Sequence, residues 1–316
     1  RNWTQLTADS LVKPSSRYKH TLVTHRGAVY LFGGDDGGHG HSHTHIWGSY
    51  FRDLWKFSGA TWTKIRPRHH THPRQGHTAV VIRNSMVVYG GLRANDHSAV
   101  DSRHLVDSSE VSAFSFQKKT WTELAVDADP RPPARRSHTA VPLGDRMFVF
   151  GGFSKDPKRK NMNDLWVYDM GTDKWQELIP ADGKRPSPRG AHAADIDRHR
   201  RLIYVFGGAD CSAGCVCKDD LWQYSVDANL WTQMSLKVGP NNRHFHTAVL
   251  SNQMQLYVFG GESYTPYKYF NDVWTVSLAG STTGPQRSPH AREHPARNLT
   301  QSILTTDPTP APARHV

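Results

Sequence analysis

The residues in this chain with the types and spacing to do chemistry are five copies of Arg-x-x-His, one alternating histidine tract and one cysteine-rich loop. The Arg-x-x-His copies are Arg17/His20, Arg74/His77, Arg135/His138, Arg189/His192 and Arg243/His246. Arginine presents a planar, permanently charged fork that suits two-bond recognition of carboxylates. The tract His39-Gly40-His41-Ser42-His43-Thr44-His45 alternates, so in an extended loop His41, His43 and His45 face one way and could chelate zinc, copper or nickel. The Gly-rich context argues for flexibility, and with no second shell to orient the ligands a solvated loop is expected. Cys211-x-x-x-Cys215-x-Cys217 is open to metal binding, a disulfide or free thiols, but no second cysteine pair exists to make a zinc knuckle. No Gly-x-Ser-x-Gly elbow, P-loop or dinucleotide fingerprint is present. The expectation is no catalytic residue, no metal and no cofactor: not an enzyme.

The elements that position these residues recur along the chain. After each Arg-x-x-His comes an apolar run closed by a glycine pair, at Gly33-Gly34, Gly90-Gly91, Gly151-Gly152, Gly207-Gly208 and Gly260-Gly261. A third run follows at Asp53-Leu54-Trp55, Glu110-Val111-Ser112, Asp164-Leu165-Trp166, Asp220-Leu221-Trp222 and Asp272-Val273-Trp274, then a lone tryptophan at Trp62, Trp121, Trp175 and Trp231. The runs are short and rich in β-branched and aromatic residues, which predicts buried strands. The glycine pair allows positive φ where the second strand ends and a neighbouring sheet packs close. The histidines, inside a strand, read as structural.

This pattern resembles the kelch repeat, a four-stranded β-propeller blade, from about Trp3 to Leu278. The resemblance implies an all-β propeller. Counted from the repeats it has five four-stranded blades, with Trp3-Thr4-Gln5-Leu6 supplying the fourth strand that the last repeat lacks and so closing the ring. Domain boundaries follow: a propeller over residues 1–280 and a Pro/Ser/Thr/Arg-rich tail over 281–316, too poor in large apolar residues to order itself. Some kelch enzymes are iron-dependent and carry a Glu-x-x-x-Asp-x-x-x-His ligand run, which this sequence lacks.

In an up-and-down blade the loops after strands two and four share one rim, and here those loops are the long ones. Loops on a rigid scaffold are where binding concentrates. Arg17, Arg74, Arg135, Arg189 and Arg243 enter the first strand from that rim and are expected to ring the mouth of the central channel; kelch propellers that bind acidic peptides use arginines in similar places. Two loops there are aromatic: Trp47 and Tyr50 with Phe51, and Tyr264, Tyr267 and Tyr269 with Phe270. Blades 5 and 1 meet at the closure, so these are expected to form one partner-binding patch, with Phe51 and Phe270 as the candidates for mere loop anchors.

The chain has 316 residues, 39 Lys+Arg against 28 Asp+Glu and 20 His. That basic balance, spread over all repeats, points to an acidic peptide segment of a protein partner rather than to nucleic acid. No apolar stretch is long enough to span a membrane. Three cysteines make no disulfide framework, so the cytoplasm is the expected setting. The sequons Asn2-Trp3-Thr4 and Asn298-Leu299-Thr300 oppose it, and a signal peptide removed before Arg1 would reverse the expectation to secretion. The function expected is a scaffold or substrate-recognition adaptor, with a metal-dependent enzyme or metal-binding propeller using the His39–His45 loop and an extracellular adhesion propeller as alternatives.

Overall fold

The computed structural model describes residues 12–37, 50–94, 105–125, 129–157 and 160–279. Asn2, the Trp3–Leu6 strand, the His39–His45 tract, Trp47, Asn298 and the 281–316 tail lie outside the described residues. Among the described residues there is no helix, so none is long and apolar enough to cross a membrane.

Five antiparallel sheets follow in chain order. Blade 1 is Thr21–His25, Ala28–Phe32, Leu54–Ser58 and Thr61–Ile65. Blade 2 is Thr78–Ile82, Ser85–Tyr89, Val111–Ser115 and Thr120–Leu124; blade 3 is Thr139–Leu143, Arg146–Phe153, Asn161–Asp169 and Lys174–Glu177. Blade 4 is Ala193–Asp197, Leu202–Phe206, Leu221–Ser225 and Leu230–Met234, and blade 5 is Thr247–Leu250, Gln255–Phe259 and Val273–Ser277. Blades 1 to 4 have four strands in sequence order and blade 5 has three. The repeats therefore mark real blades.

The apolar core lies between blades. One cluster joins Phe32 and Leu54 of blade 1 to Met86, Val88 and Trp121 of blade 2. The next joins Val87 and Tyr89 to Met147, Val149 and Trp175, and two more join blades 3 to 4 and 4 to 5. The fourth-strand tryptophan bridges each junction: Trp121 lies 4.8 Å from the Phe32 ring, Trp175 5.0 Å from Tyr89 and Trp231 4.9 Å from Phe150. At such separations the tilted rings add to the gain from burial. Blade 5 carries the same apolar positions on its outer face, yet Phe259 is 52% and Val273 65% exposed where Phe32 and Leu54 are at 0%. No described residue covers that face.

The glycine pair sets how close blades come. Gly33 and Gly207 have φ of 66° and 64°, and a Cβ on either would sit 2.6 Å and 2.7 Å from Cε1 of His77 and His246 in the following blade. Lys19, Gly76, Ser137, Ala191 and Phe245, two residues after each arginine, share φ between 52° and 61°. Backbone bonds run through them from blade to blade: Gly76 N–H to Lys19 C=O, Ser137 to Gly76, Ala191 to Ser137 and Phe245 to Ala191, at 2.7–3.1 Å. Only one is glycine, so the left-handed turn is imposed by this hoop of bonds rather than by the residue type.

Candidate binding face around the channel mouth

The five arginines are structural. Arg74, Arg135, Arg189 and Arg243 are fully buried, and the Arg17 side chain is 2% exposed. Each donates to the first glycine carbonyl of its own blade, Gly33, Gly90, Gly151, Gly207 or Gly260, at 2.9–3.1 Å. Each also pairs with the carboxylate that opens the third strand: Asp53 at 2.6 Å, Glu110 at 2.7 Å, Asp164 at 2.7 Å, Asp220 at 2.6 Å and Asp272 at 2.6 Å. The expected ring of partner-binding arginines is thereby corrected. The carboxylates they were to take from a partner come from the same chain, and a guanidinium drawn out of its pair would leave a buried acid uncompensated.

The rest of the motif completes these networks. The indole N–H of Trp55, Trp166, Trp222 and Trp274 donates to the same carboxylates at 2.7–2.8 Å. In blade 2, which lacks that tryptophan, the hydroxyls of Ser112 and Thr71 take its place on Glu110. Burial pushes the Glu110 carboxyl up, but Arg74 and the two hydroxyls outweigh it and hold it at about 2. Phe51 and Phe270 lie over the Arg17 and Arg243 guanidiniums at 4.1 and 4.2 Å, so they do anchor their loops.

The histidines latch neighbouring blades. Thr21, Thr78 and Thr139 meet His77, His138 and His192 of the next blade through Oγ1 and Nε2 at 2.9, 2.8 and 2.8 Å. At the junction of blades 4 and 5 the threonine position is Ala193, and neither nitrogen of His246 has a partner within hydrogen-bonding geometry. Burial and the nearby Arg243 lower its pKa to about 4.

What the channel mouth offers is a cavity of about 670 Å³ whose lining includes Tyr18, Lys19, Ser137, Phe245 and Glu262. The Lys19 ammonium lies 5.0 Å from the Tyr18 ring and 5.7 Å from the Phe245 ring. Burial lowers its pKa against the pull of Asp35. Beside the mouth stands a hairpin of Glu262–Tyr264 and Tyr267–Tyr269. Its tyrosines are 36%, 60% and 70% exposed at positions 264, 267 and 269, and Tyr264 stacks on the buried His244 ring at 4.2 Å. Tyr50 sits on the blade 1 side of the mouth rather than on the hairpin. Its bridge to Asp35 sets it in one row with Tyr18, and it reaches on to accept a bond from Gln75 Nε2 at 3.2 Å and pack on Leu92 and Leu105 of the blade 2 rim. The exposed aromatic patch is thus centred on blade 5 and extended by Phe245 and Tyr18, with the half-buried Tyr50 beside Tyr18.

The profile described as the KLHDC2/KLHL20/DRC7 Kelch-repeats domain matches residues 1–194, 62–238 and 156–307. The chain belongs to the kelch-repeat family. It is 26% identical over 290 residues to the leucine-zipper-like transcriptional regulator 1 homolog of Drosophila melanogaster, covering 87% of this chain and 28% of that protein. To Kelch domain-containing protein 1 of Mus musculus it is 28% identical over 251 residues, covering 74% of this chain and 59% of that protein. It therefore spans less than two thirds of the length of either relative. The solved structure of YjhT shares the fold, with a TM-score of 0.63 at 17% identity over 84% of this chain and 82% of that one.

On this kelch propeller Cys211 and Cys215 form a disulfide, which settles the three-way choice left by their spacing. Cys217 is a buried free thiol, its Sγ 3.3 Å from Nδ1 of His244, and burial raises its pKa. Among the described residues no group of three metal-ligating side chains converges. Sequence reasoning missed Tyr18, Lys19 and Phe245 as mouth residues, and His244 as the buried ring beneath Tyr264. Their signal was partly available: the second position after each arginine, Lys19, Gly76, Ser137, Ala191 and Phe245, lines the cavity in every blade.

Proposed function

We propose that this kelch propeller is a non-enzymatic protein-interaction module that grips a segment of a partner protein across the channel mouth and the Glu262–Tyr269 hairpin. The observation that carries this reading is the hairpin, whose Tyr267 and Tyr269 stand in solvent beside a cavity and pack only on each other, while Tyr264 is held by the His244 ring. Rigid, amphipathic tyrosines beside a charged mouth have the composition of interface hot spots. Lys19 and Lys268 suit an acidic, aromatic segment. Such a module serves as a scaffold or as the substrate-recognition part of a larger assembly, for example in ubiquitin ligation, trafficking or the cytoskeleton, and a cytoplasmic setting fits that role.

The Cys211–Cys215 disulfide favours a second reading, the same face used for adhesion in an oxidising compartment. One experiment addresses both. Partners captured by the wild-type chain are identified by mass spectrometry beside those of a Tyr267→Ala/Lys268→Glu/Tyr269→Ala variant of unchanged circular dichroism. Loss of partners from the variant alone is the expected result, and unchanged capture rules this face out. Whether the captured proteins are extracellular or cytoplasmic decides the setting.

A further inference from the structure

The opposite rim, where tight turns join strands one to two and three to four, carries a pocket of different chemistry. At the junction of blades 1 and 2 a cavity of about 380 Å³ opens between His25-Arg26, Lys56 and the Asn84 and Phe116-Gln117 turns. That falls in the range of about 300–1,000 Å³ usual for small-ligand sites.

Internal repetition shows what is unusual there. One junction on, Arg83 takes the place of Arg26, and both have positive φ, 53° and 48°. Arg83 is met by Asp145 of blade 3 at 2.7 Å. The residue corresponding to Asp145 at the first junction is Asn84, so the position that gives Arg83 a carboxylate holds only an amide in the cavity that Arg26 lines. Lys56 adds a second cation at a position held by Ala113, Val167 and Gln223 in blades 2 to 4. His25 stands where blade 2 has the buried Ile82, and its ring lies flat on Phe116, 4.1 Å away at 6°. No carboxylate lines the cavity, and among the described residues none pairs with Arg26 or Lys56. Asn84 is also uncommitted at Oδ1, which has no hydrogen-bond partner.

We propose that this pocket binds a small phosphorylated compound, a phosphate monoester or a diphosphate, whose anion takes the place that Asp145 fills at the next junction. Arg26 supplies the forked donor and Lys56 the point charge. Asn84 can turn its amide N–H groups toward the phosphate oxygens. The His25–Phe116 stack leaves a flat wall for the organic part of an ester.

The test is calorimetric titration of the full chain with inorganic pyrophosphate and, separately, with glucose 6-phosphate. Three variants are compared: Asn84→Asp, Lys56→Gln, and Arg146→Gln, an exposed charge on the same rim outside the pocket. Asn84→Asp rebuilds the acid–arginine pair of the next junction, so it keeps the fold and its melting temperature reports this. The expected result is one saturable site, weakened about tenfold or more by Asn84→Asp and by Lys56→Gln and unchanged within about twofold by Arg146→Gln. Preference for the ester over pyrophosphate assigns the flat wall to the ligand's organic part, and equal affinity assigns recognition to the phosphate alone. No saturable binding of either probe overturns the proposal. So does an equal loss in all three variants, which is the mark of diffuse attraction to a chain of net charge +11.

Discussion

Ala193 does more to distinguish this molecule than its size suggests. Three blade junctions are latched by a threonine hydroxyl on the next blade's histidine, and at the fourth a methyl group faces His246. Restoring the hydroxyl with Ala193→Thr is expected to stabilise the protein by about 1 kcal/mol, the net worth of one buried hydrogen bond. Thermal melting checks this, and the gain should vanish in a His246→Ala background if the new bond is its source. Single residues also mark the limit of what could be read without coordinates. The spacing of Arg17 to His20 and its four repeats revealed a conserved internal layout, but not which way the guanidiniums turn. An arginine at a channel mouth and an arginine folded back on Asp164 leave the same trace in one sequence. The decisive clue was the acid opening each third strand, Asp53, Glu110, Asp164, Asp220 and Asp272, one for each arginine.

Blades were legible for a simpler reason. Apolar runs, glycine pairs and tryptophans repeat because each junction solves the same packing problem, so five sheets could be placed within a few residues. Loops do not repeat, and the hairpin of Glu262–Tyr264 with Tyr267–Tyr269 could be recognised as aromatic but not as folded. The glycine pair offers a graded test of the packing account. Gly207→Ala would place Cβ 2.7 Å from His246 Cε1 and 2.9 Å from the Arg243 carbonyl, at a φ of +64°, and is expected to cost about 2–5 kcal/mol in urea unfolding. Gly144→Ala has a similar φ of +59° with nothing within 4 Å; it should cost only the strain of the left-handed turn, about 1 kcal/mol. Equal costs would show that conformation alone, and not blade contact, selects glycine after the second strand.

Across the whole molecule the buried ion pairs and the buried histidines respond to acid in the same direction. For Asp53, Asp164 and Asp220 burial raises the pKa, but the arginine fork outweighs it, and for Asp272 the bond from Arg243 leads. All four, with Glu110, end below their ordinary values, so their contribution is complete above pH 3.8 to 4.5 and is lost as the pH falls toward about 2. Desolvation, with a nearby arginine, lowers His77, His138, His192 and His246 below 6.5. The unfolded chain therefore takes up protons first, and stability begins to fall below pH 6.5. Urea midpoints between pH 7 and pH 2.5 should decline throughout, most steeply below pH 4.5; a flat profile to pH 4 would mean the histidines are not buried neutral. Under tension the junctions are unequal too. Between blades 4 and 5 the threonine–histidine latch is replaced by a bond from the Leu250 N–H to Asp195 Oδ2 at 2.7 Å. A load on the hairpin that carries Tyr267 and Tyr269 is therefore passed from its own blade to blade 4 through this carboxylate rather than through a histidine.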